Sequence, residues 1–109
     1  MTISELSTAV DYGINTITIV MNNKSWGAEK AYQKDFFGKR YLGADISSPE
    51  FDKVAELYGA RGFKVNKISE INEAVKAAIE SRKPSVIDVA VDPKALYSFR
   101  RDSFKHRIK

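Results

Sequence analysis

Ser85-Val86-Ile87-Asp88-Val89-Ala90-Val91 is the stretch on which the fold turns. Apart from Ser85 and Asp88 it is apolar throughout, where a strand with one wet face would alternate, so it is predicted to be a strand covered on both faces, as in parallel sheets. Pro84 leads into it and Asp92-Pro93 ends it. Just upstream, Ser69 is placed to cap a helix whose Ile71, Ala74, Val75, Ala78 and Ile79 share one face. Before that, Gly62-Phe63-Lys64-Val65 reads as a short strand. Ser48-Pro49 reads as a helix start, with Ser as N-cap and Pro at the first helical position. Phe51, Val54, Ala55 and Tyr58 follow on one stripe, and Gly59 is the stop.

The first part of the chain continues the pattern. Thr2 and Glu5 have the spacing of a capping box, and Ile3, Leu6 and Val10 follow at helical intervals before Gly13. Thr16-Ile17-Thr18-Ile19-Val20-Met21 is β-branched and too short for a helix, so it is predicted to be a strand that stops at Asn22-Asn23. A looser helical stretch runs from Ala28 to about Phe37, and Gly38 to Ser47 reads as an irregular connection.

Helix, strand, two helices, strand, helix, strand is the order of an α/β fold, a three-layer parallel sheet with helical crossovers. Three strands fall short of the roughly four to six of an ordinary sheet. The sheet is expected to be incomplete, either because another chain supplies strands or because the sequence is the C-terminal piece of a larger domain.

The 109 residues can bury one modest core. With no cysteine and one histidine, disulfide, thiolate-metal and Cys-nucleophile chemistries are excluded. Met1-Thr2-Ile3-Ser4-Glu5 lacks a basic segment followed by an apolar one, and no apolar run could cross a bilayer, so a cytoplasmic protein with no membrane partner is expected. The net charge of +4 is uneven, because residues 1–93 hold 12 basic and 13 acidic side chains while the tail from Lys94 holds six basic against Asp102. That tail is too short, and its Phe99 and Phe104 too isolated, to make a nucleic-acid platform, so no nucleic-acid partner is expected.

Ligands of open parallel sheets bind beyond the carboxyl ends of the strands. Here the first strand runs directly into Asn22-Asn23-Lys24-Ser25-Trp26-Gly27-Ala28-Glu29-Lys30. Amide oxygens, loop carbonyls, a glycine and a carboxylate at a helix start suit a hydrated Mg²⁺ bridging phosphate oxygens. The same Asn-Asn pair also suits a plain turn. Trp26 reads as a buried anchor of the loop, with an active-site lining as the alternative.

Met1 to Val10, the strand, and then Asn22-Asn23 resemble the later part of the cofactor motif of thiamine diphosphate-dependent enzymes. The likeness continues through Ala55 to Val65 and Pro84 to Asp92. Asn23 to Lys30 and Phe99-Arg100-Arg101-Asp102 are most similar to the sulfoacetaldehyde acetyltransferases, which turn sulfoacetaldehyde and phosphate into acetyl phosphate and sulfite. Acetolactate synthase-like carboligases, 2-oxo acid decarboxylases and a non-catalytic α/β module stand as alternatives.

The resemblance implies thiamine diphosphate and Mg²⁺ as cofactors, a small-molecule substrate and a homo-oligomer. It implies Asn22, Asn23, Ser25 and Gly27 as cofactor-binding residues, with the Asn23 side-chain oxygen and the Ser25 carbonyl on Mg²⁺. Glu29 falls at the place of an active-site glutamate, although a helix N-terminus also attracts an acid for its dipole. Arg100 or Arg101 would contact an anionic substrate. The Gly-Asp-Gly segment that opens the family's motif is not in this sequence. The resemblance therefore implies a partial thiamine diphosphate-binding fold, with residues 1–93 the C-terminal part of the domain, 94–109 a basic tail, and no activity for this chain alone.

Overall fold

The computed structural model describes residues 2–96, so Arg100, Arg101 and most of the basic tail lie outside the described residues. Two compact units are present. The first runs through Asn22 and resumes from Ser48 to Val91; the second begins at Asn23 and includes the chain to Ser47.

The first unit contains α1 (Glu5–Asp11), β1 (Ile17–Asn22), α3 (Phe51–Leu57), β2 (Arg61–Val65), a 3-10 turn (Ile68–Glu70), α4 (Ile71–Ser81) and β3 (Ser85–Ala90). The second contains α2 (Gly27–Phe36) and the connection after it. The strand order is β1-β3-β2, and both pairs are parallel. Ile19, Ile87 and Phe63 lie side by side across the sheet. The continuously apolar run is thus the central strand, and five of its six residues are buried.

The two faces of β3 feed two cores. Ile87 and Val89 pack with Val65, Ala74 and Ala78 under α4, supported by Phe63, Ile71 and Val75. Val86 packs with Leu6, Ala55 and Ala60, and Val10, Val20 and Phe51 close the cluster from α1, β1 and α3. Helices therefore cover both faces, which is the α/β class expected from the sequence. Gly62 is needed where β2 passes α3: a Cβ there would lie 2.0 Å from the Asp52 carbonyl oxygen.

Several boundaries differ from expectation. Ser48 does not cap α3. Glu50 holds the N-cap position in extended backbone, so the helix begins at Phe51, and its N-terminal N–H is met by Asp88 of β3 instead. Ser69 sits inside the 3-10 turn rather than capping α4, where Glu70 takes the N-cap position without a side-chain bond. Thr2 and Glu5 are joined by a backbone hydrogen bond, Glu5 N–H to Thr2 O at 3.0 Å, with no side-chain cap on α1. Ile79 is 60% exposed, because only the Ala74 and Ala78 side of α4 meets the sheet.

Candidate functional site

β1 delivers Asn22 to the end of the sheet. Its carbonyl accepts the Val91 N–H at 3.1 Å, and its Nδ2 donates to Asp88 Oδ2 at 3.5 Å. Asn22 thus completes the sheet unit. Asn23 starts the other unit, and there the structure gathers the next three candidates into one tight loop.

Asn23 Oδ1 accepts the Ser25 N–H at 3.1 Å, and Ser25 Oγ donates back to the Asn23 carbonyl at 3.0 Å. These reciprocal bonds bend the chain at Lys24, whose φ is +53°. The outer side of the loop pairs with residues 44–46: Trp26 N–H donates to Ala44 O at 2.7 Å, and Ile46 N–H donates to Lys24 O at 3.1 Å. Together they form an antiparallel bridge between Ser25 and Asp45. In a pair of this type the N–H and C=O of Ser25 face away from Asp45. The N–H goes to the Asn23 side chain, and the Ser25 carbonyl points to that same side.

Gly27 opens α2 beside this turn. A Cβ on it would lie 2.7 Å from Asn23 Nδ2, so the missing side chain is what leaves room for the asparagine. Glu29 stands exposed in the first turn of α2, at the positive end of the helix dipole. Trp26 is 61% exposed: its backbone, not its ring, fastens the loop, so the expected buried anchor is not found.

Among the described residues no cluster of three or more His, Cys, Asp or Glu side chains could hold a metal. The donors the loop offers are neutral oxygens, of the kind that hard cations accept. A groove of about 510 Å³ in the sheet unit, lined by Leu6, Thr18, Val20, Phe51 and Val86 among others, contains none of the candidate residues. No described helix is long and apolar enough to cross a membrane.

Residues 1–89 match the family model of the thiamine pyrophosphate enzymes, specifically the C-terminal TPP binding domain. The chain belongs to this family. As a thiamine pyrophosphate enzyme domain it is 33% identical to the sulfoacetaldehyde acetyltransferase of Castellaniella defragrans over 113 residues, covering 100% of this chain and 19% of that protein. It is 34% identical to the probable acetolactate synthase large subunit of Methanococcus aeolicus over 99 residues, covering 90% of this chain and 16% of that one. The Rhodococcus jostii RHA1 thiamine diphosphate-dependent 4-hydroxybenzoylformate decarboxylase superposes with a TM-score of 0.74 at 30% identity, over 83% of this chain and 17% of the other. The domain therefore spans less than a fifth of the length of these relatives.

Sequence reasoning found the loop through its residue types. It gave no role to Lys30, Gln33 or Asp45, whose side chains tie α2 and segment 41–45 together. Lys30 Nζ donates to Asp45 and lies 5.4 Å from the centre of the Tyr41 ring. Gln33 bonds both backbone groups of Leu42, donating from Nε2 to its carbonyl at 3.0 Å and accepting its N–H on Oε1 at 3.1 Å. Only the three-residue spacing of Lys30 and Gln33 on one face of a helix signalled a shared task.

Proposed function

We propose that this domain holds the diphosphate end of thiamine diphosphate through Mg²⁺, as part of an acetyltransferase that converts sulfoacetaldehyde and phosphate to acetyl phosphate and sulfite. The observation that carries the proposal is the Asn23–Gly27 loop, which turns an amide oxygen and a main-chain carbonyl to one side next to a glycine cradle. Two neutral oxygens fit Mg²⁺, which takes few protein ligands and completes its shell with phosphate oxygens and water. Asn23 Oδ1 and the Ser25 carbonyl would hold the ion, and Asn22 anchors the strand end that precedes them. When bound, thiamine diphosphate supplies the carbanion chemistry.

Glu29 would hold or transfer a proton near the reacting end of the cofactor. Arg100 or Arg101 would bind the anionic substrate. The active protein is a homo-oligomer in the cytoplasm, of the relatives' length, and the 109-residue chain has no turnover alone. The acetyltransferase reading is favoured over the acetolactate synthase one because the alignment with the former runs through the tail, covering all of this chain rather than 90%.

Calorimetric titration with thiamine diphosphate and Mg²⁺ tests the binding role. Weak binding that requires both components and disappears in Asn23→Ala is expected; binding unchanged by Asn23→Ala would overturn it. For a polypeptide of the relatives' length, formation of acetyl phosphate from sulfoacetaldehyde and phosphate supports the activity. Condensation of two pyruvates instead would assign it to the carboligases.

A further inference from the structure

The described residues of the unit that carries the loop form almost no apolar core. Among its described residues only Ala31 and Ala44 are buried hydrophobics. Among these residues hydrogen bonds, rather than apolar packing, are what meet the Asn23–Gly27 turn. The brace is segment 42–46, which pairs with residues 24–26 through two backbone hydrogen bonds. That segment is in turn gripped by polar side chains of α2. The Gln33 amide completes a two-bond ladder with the Leu42 backbone, while the Leu42 side chain is 85% exposed and contributes little packing. Lys30 reaches Asp45 and Tyr41 from the same helix face.

We infer that Gln33 is a positioning residue for the metal-binding loop, acting through Leu42 and the 44–46 pairing to hold the Ser25 carbonyl and the Asn23 side chain on one side. The inference rests on the Mg²⁺ role proposed above for Asn23 and Ser25. A bidentate side-chain amide suits the task, because it sets both the position and the direction of a backbone segment, which a single hydrogen bond does not. Loss of the grip lets 42–46 drift from residues 24–26, and the two oxygens then diverge.

The test uses the full 109-residue chain with two NMR readouts. One is hydrogen exchange at the Trp26 and Ile46 amides, with Ile87 of the central strand as control; the other is Mn²⁺ titration in the presence of thiamine diphosphate, read as broadening at Asn23 and Ser25. Gln33→Ala is expected to speed exchange at Trp26 and Ile46 by roughly tenfold, leave Ile87 unchanged, and weaken the Mn²⁺ response by a similar factor. Gln33→Glu keeps an acceptor for the Leu42 N–H and is expected to fall between wild type and Gln33→Ala. Unchanged exchange at Trp26 and Ile46 in Gln33→Ala would overturn the inference. So would faster exchange with unaltered Mn²⁺ broadening. If the wild-type chain shows no broadening at Asn23, the Mg²⁺ role itself fails, and with it the functional half of the inference; the exchange comparison still decides whether Gln33 holds the turn.

Discussion

The carboxylate of Asp88, on the central strand, accepts the backbone N–H of Phe51 at 3.1 Å and so caps a helix that begins 37 residues earlier in the chain. Asp88 is only 3% exposed, and the same Oδ2 also receives Asn22 Nδ2. One buried acid thus ties the start of α3 and the end of β1 to β3. A buried carboxylate is tolerated where such donors meet it.

Asp88→Ala removes the acceptor from two donors and is expected to lower stability by about 1–2 kcal/mol. Asp88→Asn keeps a side-chain oxygen for Phe51 and is expected to cost under about 1 kcal/mol, since Asn and Asp cap equally well. Urea unfolding followed by circular dichroism separates the two. Equal losses from both variants would show that charge, not capping, is what Asp88 contributes.

This contact also explains where the sequence was readable and where it was not. β3 announced itself because a strand covered on both faces needs no alternation, and five buried residues confirm that reason. The start of α3 was misplaced because Ser48-Pro49 satisfies every local rule for a cap, while the group that meets the helix end comes from another strand. Asn23, Ser25 and Gly27 were legible as one loop because their residue types suit a tight turn. Gln33 was not, since a half-buried helical glutamine carries no local sign that it grips a backbone nine residues on.

Glu50 offers a pH dependence with a defined sign. Side-chain hydrogen bonds from Lys53 and Lys64, each 2.7 Å away, lower its carboxyl from the ordinary 4.5 to about 2. A depressed acid contributes stability above its unfolded value that is lost as pH falls through its folded one, so the window is about 4.5 down to about 2. The group is exposed, so solvent and salt screen the contribution. Glu50→Gln is expected to flatten the fall of stability in that window, and raised salt to narrow the gap between variant and wild type. Parallel acid-unfolding curves at low salt would remove this role.

The outer edge of β1 is open among the described residues. Thr16 and Asn22 direct their carbonyls to β3, accepting from Ser85 and Val91, so by the period of two Ile17, Ile19 and Met21 direct their N–H groups the other way. Their side chains are exposed as well, and β1 holds none of the charges or prolines that usually blunt an edge. In the 109-residue chain the amides of Ile17, Ile19 and Met21 are expected to exchange on the order of a hundredfold faster than that of Ile87. Equal protection would mean that the edge is paired in solution.

If the proposed cofactor role holds, Gly27 separates binding from stability. A methyl group there would meet Asn23 Nδ2 at 2.7 Å, which is the far end of a side chain that can turn away. The residue also opens α2, where alanine is a better helix former than glycine by up to about 1 kcal/mol. Gly27→Ala is therefore expected to leave the midpoint of thermal unfolding little changed, the helix gain offsetting the Asn23–Ser25 hydrogen bond that turning Asn23 aside gives up. Turning Asn23 aside takes its oxygen from the side the Ser25 carbonyl faces, so the Mg²⁺-dependent affinity for thiamine diphosphate should fall by roughly tenfold or more, the effect of losing one good ligand-orienting contact. Stability is read by differential scanning calorimetry and affinity by titration on the same preparation. A variant with reduced stability and intact affinity would reverse both expectations, and would mean that the glycine serves the turn rather than the site.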